Sequence, residues 1–420
     1  MRVLHAADIH LDSPLIGLAA KSGDRASELV GATRRAFTAM VDYAIQAEVA
    51  VVLIAGDLYD GDWRDFSTGL FFMSEMARLE RAGVRVAVVK GNHDAENQMT
   101  RSLRLPANTR VFRSDRPETW ILEDLGVALH GRSFPTRDVT DNISAAYPQP
   151  VRGMLNIGLL HTAADGKYGH APYAPCTVAD LAAKEYDYWA LGHVHTRRIL
   201  SEKPWIVFPG NLQGRHANET GIKGATLITV DDRSVVSVEH IPLDVVRWAQ
   251  VSVELSDCAD YEAGCHRIRE QLTEVGSKCE GRTLAVRLNL TGKTNVHRRL
   301  AGDLEQTNAE CLAIAEQSGE DVWLERVVIG TEEPDSKAAS DADALSELFK
   351  TVEEIRNDPE AIQIIRAELQ QALTRMPAKA KELGNLKELD DEMMGSVLDG
   401  AAVTLRHRLS LPLGEIAHAP

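Results

Sequence analysis

Residues 49–55 are an unbroken apolar run, from Val49 to Ala55, that stops at Gly56 and Asp57. A continuous run of this kind reads as a strand covered on both faces. It therefore demands a layer of structure on each side, which restricts the fold more than any other feature of the chain. The neighbouring segments supply such layers. Residues 2–7 and 84–89 are further strand patterns. Phe37, Met40, Val41, Ala44 and Ile45, and then Phe72, Met76 and Leu79, keep helical spacing. This alternation argues for an α/β core. Residues 127–129, 156–160 and 188–191 are further strand candidates, and residues 225–230 and 235–241 look like a hairpin around Asp231 and Asp232.

The pattern changes near Asp244. Val251, Val253 and Leu255 alternate, Tyr261, Cys265, Ile268, Leu272 and Val275 hold helical spacing, and Leu284, Val286, Leu288 and Leu290 alternate again. This predicts a small, separate α+β domain ending near Gly330. A polar linker-like stretch follows at residues 332–340. The rest is helical and acid-rich, with one apolar stripe at Ile362, Ile365, Leu369 and Leu373 and another beginning at Leu383, Leu386 and Leu389. The expected division is 1–243, 244–330 and 331–420, which suits 420 residues at ~100–200 per domain. No convincing internal repeat and no G-x-x-x-x-G-K-[ST] phosphate loop is present, so ATP hydrolysis by that loop is not expected.

Composition narrows the classes further. No apolar run approaches the ~18 residues of a membrane span. The N-terminal residues run straight into a strand pattern and lack the order of a signal peptide, so the cytoplasm is the expected compartment and no membrane partner is expected. Cys176, Cys258, Cys265, Cys279 and Cys311 are scattered without a C-x-x-C pair, as reduced thiols are in cytosolic proteins. The net charge of −16 argues against a general polyanion binder. It does not exclude a nuclease, because bound divalent ions reverse the local sign and a partner can supply basic surface.

Five motifs carry chemistry: Asp8-Ile9-His10, Gly56-Asp57, Gly91-Asn92-His93-Asp94, His161 and Gly192-His193-Val194-His195. Each follows a strand-like run, and ligands of α/β sheets gather beyond the carboxyl ends of strands. Carboxylates and imidazoles without thiolates suit a pair of divalent ions, manganese first, with iron and zinc as alternatives. Two carboxylates, Asp8 and Asp57, against two dications leave a positive site suited to a phosphodiester. Ions ~3.5–4 Å apart can clamp both oxygens of an in-line displacement and lower a bound water's pKa towards ~7. Asp57 is the obvious bridging carboxylate, Asn92 a neutral oxygen ligand, and His10, His161, His193 and His195 the imidazoles. His93, beside a ligand, is placed to protonate the leaving oxygen, with Asp94 expected to fix its tautomer. Taken singly, a D-x-H or G-D is more often a turn or cap; all five in order, each after a strand, are hard to obtain by chance. His5 and His170 read as structural, and Asp12 and Asp60 as loop residues near the site. Arg215 and His216 are candidate phosphate contacts, against the alternative that Arg215 pairs with Glu219.

The order of these motifs resembles the calcineurin-like metallophosphoesterase superfamily. That implies a central β-sandwich flanked by helices. It also implies one ion on Asp8, His10, Asp57 and His195, a second on Asp57, Asn92, His161 and His193, and His93 as the non-ligand catalytic histidine. Residues 5–14, 161–166, 173–176, 187–193 and 209–216 resemble more narrowly the bacterial YhaO family of DNA repair exonucleases, relatives of the SbcD nuclease subunit. Over roughly the first 240 residues this resemblance is close; beyond that only the layout is similar, a small capping domain and then helices. It implies a two-metal DNA exonuclease acting with an SMC-like coiled-coil ATPase of the YhaN/SbcC kind. The Ile362 stripe could dock that ATPase, or pack on its own chain. A homodimer is a further candidate assembly. Two other functions stay open: a small-molecule phosphatase or cyclic-nucleotide phosphodiesterase, and a DNA-end scaffold acting mainly through its ATPase.

Overall fold

In the computed structural model, residues 1–13, 15, 31–60, 66–95, 104–166, 173–319, 321–334, 358–375, 394 and 398 are described. His170 and the stripe beginning at Leu383 lie outside them. The chain divides into two compact units, Met1–Trp248 and Ala249–Pro420.

The first unit is built on two six-stranded sheets. In the first sheet, β1 (Arg2–Ala6), β2 (Val51–Ala55), β3 (Arg85–Val89) and β4 (Thr109–Val111) run parallel. β11 (Gly224–Asp231) and β12 (Ser234–Pro242) extend it antiparallel beyond β1. The second sheet has the order β5 (Glu118–Leu122), β6 (Val127–Gly131), β7 (Leu155–His161), β8 (Tyr188–Gly192), β10 (Trp205–Phe208), β9 (Arg198–Glu202). Its four central strands are parallel, and β5 and β9 close the edges antiparallel.

Period-two alternation sends successive residues of β2 to opposite sides. Val51, Leu53 and Ala55 join Val3, Leu129, Ile157, Leu159, Tyr188 and Ala190 in the layer between the sheets. Val52 and Ile54 pack outward with Phe37 and Met40 of α1 (Ala32–Gln46) and Phe72 and Met76 of α2 (Ser67–Arg81). The run at residues 49–55 is apolar throughout because both of its faces are inside. On the far side, Leu160, Trp189 and Leu191 pack with Phe134, Tyr147 and Leu181. The expected mixed α/β architecture is present: a sandwich with helices outside it. Strands β4, β5, β9 and β10 are not evident in the sequence: β4, β5 and β9 are partly exposed and lack a clean apolar run, and β10 is apolar but only four residues long.

Two residues separate the end of β3 from α3 (Asn92–Ala95), a single turn, and α4 (Val178–Ala182) carries a capping box from Thr177 and Asp180. β13 (Val246–Glu254) begins in the last three residues of the first unit and continues into the second, where it forms a sheet with β14 (Thr283–Lys293) and β15 (Val322–Glu332). α5 (Tyr261–Ser277), α6 (His297–Gly302) and α7 (Leu304–Ser318) belong to it, with a core that includes Ile268, Leu272, Leu288 and Ala315. Residues 359–375 form α8 (Pro359–Arg375), where Ile362, Ile365 and Leu369 are half-buried and Ile364 is exposed. No helix of the described residues is long and apolar enough to cross a membrane.

Candidate metal centre

The five motifs meet at one end of the sandwich because the parallel strands β1, β2, β3, β7 and β8 all finish there. Backbone pairing continues past the strand ends: Asp8 N–H donates to Gly56 O at 3.0 Å and His10 N–H to Asp57 O at 3.0 Å. Asp8, His10, Asp57 and His193 all have positive φ, of 51°, 47°, 50° and 107°. Non-glycine residues seldom adopt this conformation, and its cost is characteristic of sites where it aims side chains. The glycines of the motifs have a steric reason. A Cβ on Gly91 would lie 2.3 Å from Asp57 Oδ1, and one on Gly56 would lie 2.3 Å from His161 Nδ1. The G-D and G-N-H-D signals are thus records of close approach around Asp57 and His161.

The imidazole tautomers follow from their outer partners. His161 Nδ1 faces Ala55 O at 3.0 Å, and a carbonyl only accepts, so Nδ1 carries the proton. Nε2 is then a lone pair, yet it faces another acceptor, Asn92 Oδ1, at 3.0 Å. His195 Nδ1 lies 2.6 Å from Glu219 Oε1, which leaves its Nε2 lone pair 3.3 Å from His10 Nε2. His10 Nδ1 lies 3.4 Å from Asp60 Oδ1 but forms no hydrogen bond, so only its Nε2, facing His195, has a partner in the centre. Three rings thus turn Nε2 inward. Asp57 Oδ2 sits between the groups, 4.0 Å from His10 Nε2 and 3.5 Å from His161 Nε2.

Acceptors facing acceptors in a buried site call for cations. Asp8 and Asp57 are 1% and 2% exposed. Burial, then repulsion from Asp57, pushes the Asp8 carboxyl well above its usual range. Burial also raises Asp57, against the opposing effects of His93, His195 and Arg215. Two sets of donor atoms, Asp8/His10/His195 and Asp8/Asp57/His161, each fall within 4.8 Å of one another and fit divalent ions. Asp8 belongs to both sets, as Asp57 was expected to. His193 gives its backbone N–H to both Asp8 oxygens at 3.0 Å, and its ring packs beside His161 and Tyr173.

The surroundings differ from the sequence reading in two places. Asp94 was expected to orient His93. Its carboxylate instead accepts from the backbone N–H groups of Leu58 at 3.1 Å, Tyr59 at 2.9 Å and Gly91 at 3.0 Å. Burial and then Asp57 push its pKa up to about 6. Adjacent residues of a helical turn diverge, so a side chain that caps these amides is not aimed at its neighbour's ring. The carboxylate against His93 is Asp60, whose Oδ1 lies 3.3 Å from His93 Nδ1. Arg215, the candidate phosphate contact, lies 3.6 Å from both Asp60 and Glu219, and His216 Nε2 lies 3.5 Å from Glu219.

Glu219 escaped the sequence reading except as that alternative partner for Arg215. It also accepts from Asn211 Nδ2 at 2.9 Å and from Arg215 N–H at 2.7 Å. Lys223, also unforeseen, donates to His195 O at 2.8 Å. No local pattern marks either; both become visible only once the loop after β10 has folded against His195. The sequence reads His5 as structural and Asp12 as a loop residue near the site. His5 meets Tyr188 OH and Leu191 O, leaving neither ring nitrogen for an ion. Asp12 binds Arg34 and Thr68, tying its loop to α1 and α2.

A sandwich with this donor set at its strand ends defines a metallophosphoesterase. Residues 1–197 match the calcineurin-like phosphoesterase model, and residues 248–332 match the middle domain of metallophosphoesterase YhaO. A Bacillus subtilis protein named uncharacterized metallophosphoesterase YhaO is 34% identical over 293 residues, covering 69% of this chain and 71% of its own. The DNA double-strand break repair protein Mre11 of Sulfurisphaera tokodaii is 24% identical over 272 residues, 61% of this chain and 66% of that protein. Its counterpart from Haloferax volcanii is 24% identical over 65% of this chain and 58% of its own. The chain belongs to the calcineurin-like metallophosphoesterases, as a homologue of YhaO and of the Mre11-type nucleases.

Proposed function

We propose that this protein is a metal-dependent DNA nuclease, an exonuclease of DNA repair, that hydrolyses phosphodiester bonds with two divalent ions, manganese in the first instance. The observation that carries hydrolysis is the inward Nε2 array around Asp57 Oδ2, 4.0 Å from His10 and 3.5 Å from His161. Asp8, His10, Asp57 and His195 would hold one ion, and Asp57, Asn92, His161 and His193 the other. Bound there, the ions supply Lewis-acid charge and a nucleophile at neutral pH.

The chain's own groups do the rest. Glu219 and the Ala55 carbonyl hold the His195 and His161 rings in the ligating tautomer. His93, with its side chain 32% exposed at the rim, protonates the departing oxygen. Arg215 and His216 are the substrate-side residues of this proposal, with Arg215 held 3.6 Å from both Asp60 and Glu219. The names of the Mre11 relatives support DNA as the substrate. The net charge of −16 then requires the basic surface to be local or supplied by a partner.

The test is a manganese-supplemented assay on linear DNA with wild type and His93→Asn. Cleavage by the wild type that fails in the variant supports the reading. A wild type inert on every DNA form, yet active on small phosphate esters, would overturn it in favour of a small-molecule phosphatase. An SMC-like ATPase partner, a cytoplasmic location and the three-part division at 243 and 330 belong to the same proposal. Truncation after Pro334 should abolish co-purification with the ATPase while basal hydrolysis persists.

A further inference from the structure

We propose that an apolar cavity of the first unit binds a small, uncharged aromatic molecule with an N–H donor, of the size and chemistry of indole, and that its occupation is coupled to the metal centre. The cavity measures about 230 Å³. Phe72, Tyr59 and Val88 of its lining belong to the layer between the first sheet and its helices. These three are buried, and the half-buried Leu105 and Val111 mark its mouth. The Tyr59 and Phe72 rings stand edge to face, with centroids 6.1 Å apart and planes at 78°. A hydrocarbon-lined cavity of ~150 Å³ takes up benzene. At about 230 Å³ this one admits two fused rings but no helix or strand. Two aromatic walls favour a flat ring, through edge or offset contacts.

Lys90 and Asp94 are the charged residues of the lining. Asp94 sets the ligand's polar atom. Its Oδ2 accepts from Leu58 and Gly91 N–H, and its Oδ1 from Tyr59 N–H alone. A carboxylate has about four lone-pair sites, so one remains for an N–H of the ligand. A ligand with a full charge would lose its hydration against the apolar walls. The same carboxylate ties together two segments of the metal centre. Leu58 and Tyr59 follow Asp57, and Gly91 precedes Asn92. A molecule seated against Tyr59 and Asp94 selects the arrangement of these turns that also places Asp57 and Asn92. Two ligands that select one state strengthen each other by the same factor. The coupling rests on Asp57 and Asn92 as metal ligands; binding in the cavity does not.

The test is titration calorimetry of the full chain with indole, metal-free and with saturating manganese. Wild type should bind indole with a dissociation constant of about 1 mM or tighter. Manganese should tighten this about fivefold, and indole should tighten manganese equally. Benzofuran, which has the same fused rings and no N–H, should bind about tenfold or more weakly. Val111→Trp and Leu105→Trp each place a large side chain at the mouth. Each should weaken indole about tenfold or more while manganese affinity without indole stays at the wild-type value. Failure of wild type to bind indole at about 10 mM, equal binding of benzofuran, or wild-type indole affinity in the two variants would overturn the site. Indole affinity indifferent to bound manganese would overturn the coupling. A chain that binds no manganese removes the metal reading and leaves the indole comparison intact.

Discussion

Glu219 Oε1 and His195 Nδ1 are 2.6 Å apart, the carboxylate 8% exposed. Burial alone would raise Glu219, but the hydrogen bond and charge of His195, with Arg215 beside it, hold it below the usual carboxylate range. This pairing sets which nitrogen of His195 faces the centre. Glu219→Gln should therefore weaken manganese binding about 10–100-fold. Titration of the metal-free protein by calorimetry measures it. Unchanged affinity would confine Glu219 to tying the loop of Asn211 and Arg215.

His93 and Asp94 are neighbours with separable roles. His93→Asn should lower turnover about 10²–10⁴-fold with metal content intact. Asp94→Asn should instead lower stability in urea by about 2–3 kcal/mol, because three backbone N–H groups lose a charged acceptor. An Asp94 variant of full stability and low turnover would restore the direct role that its sequence position suggested.

Gly91 has no room for a side chain. The added Cβ of Gly91→Ala would sit 2.3 Å from Asp57 Oδ1 and 2.8 Å from Asp57 N. One of these atoms must move, at a cost of about 1–3 kcal/mol. The variant should bind less manganese than wild type at equal concentration, read by elemental analysis after desalting. Wild-type metal content would show that Asp57 has freedom to shift.

His5 should make stability fall with acid. Burial pushes its pKa down from 6.5 to about 3. The unfolded chain then takes up a proton near pH 6.5 that the folded protein refuses until near pH 3. The contribution is complete above pH 6.5 and is lost as pH falls towards 3, with a slope of up to ~1.4 kcal/mol per pH unit. Urea unfolding at pH 7.5 and 5.5 should differ by about 1.4 kcal/mol more in wild type than in His5→Gln. Equal slopes in the two proteins would refute it.

Metal removal should destabilise the first unit, since Asp8 and Asp57 are then left buried together. Manganese at about 100 times its dissociation constant should return about 2.7 kcal/mol. Thermal melts with chelator and with added manganese measure the shift. It should shrink in Asp8→Asn; an equal shift there would place the stabilising ion elsewhere.

Much of the site was legible because strand ends leave a local signature. An apolar run followed by D-x-H, G-D or G-N-H-D records both the strand and the residue projecting beyond it. The glycines added legibility, since a missing Cβ at Gly56 and Gly91 is a packing requirement visible in one letter. Glu219, Lys223 and Asp60 carry no such mark. A single acid in a loop looks the same whether it faces solvent or an imidazole, so Asp94, adjacent in sequence, is expected beside His93 where Asp60 is found.

Local pattern alone was enough for the α/β core, for the order of the motifs along the chain and for the donor types they carry. These follow from apolar periodicity and from residue chemistry, both of which are local. The tertiary structure alone decided which nitrogen of each ring faces inward, that Asp94 holds backbone while Asp60 meets His93, and that Arg215 is bound to two carboxylates. Those outcomes depend on side chains far apart in sequence, as His195 and Glu219 are from His10, and distance between them is fixed only when the sheets pack.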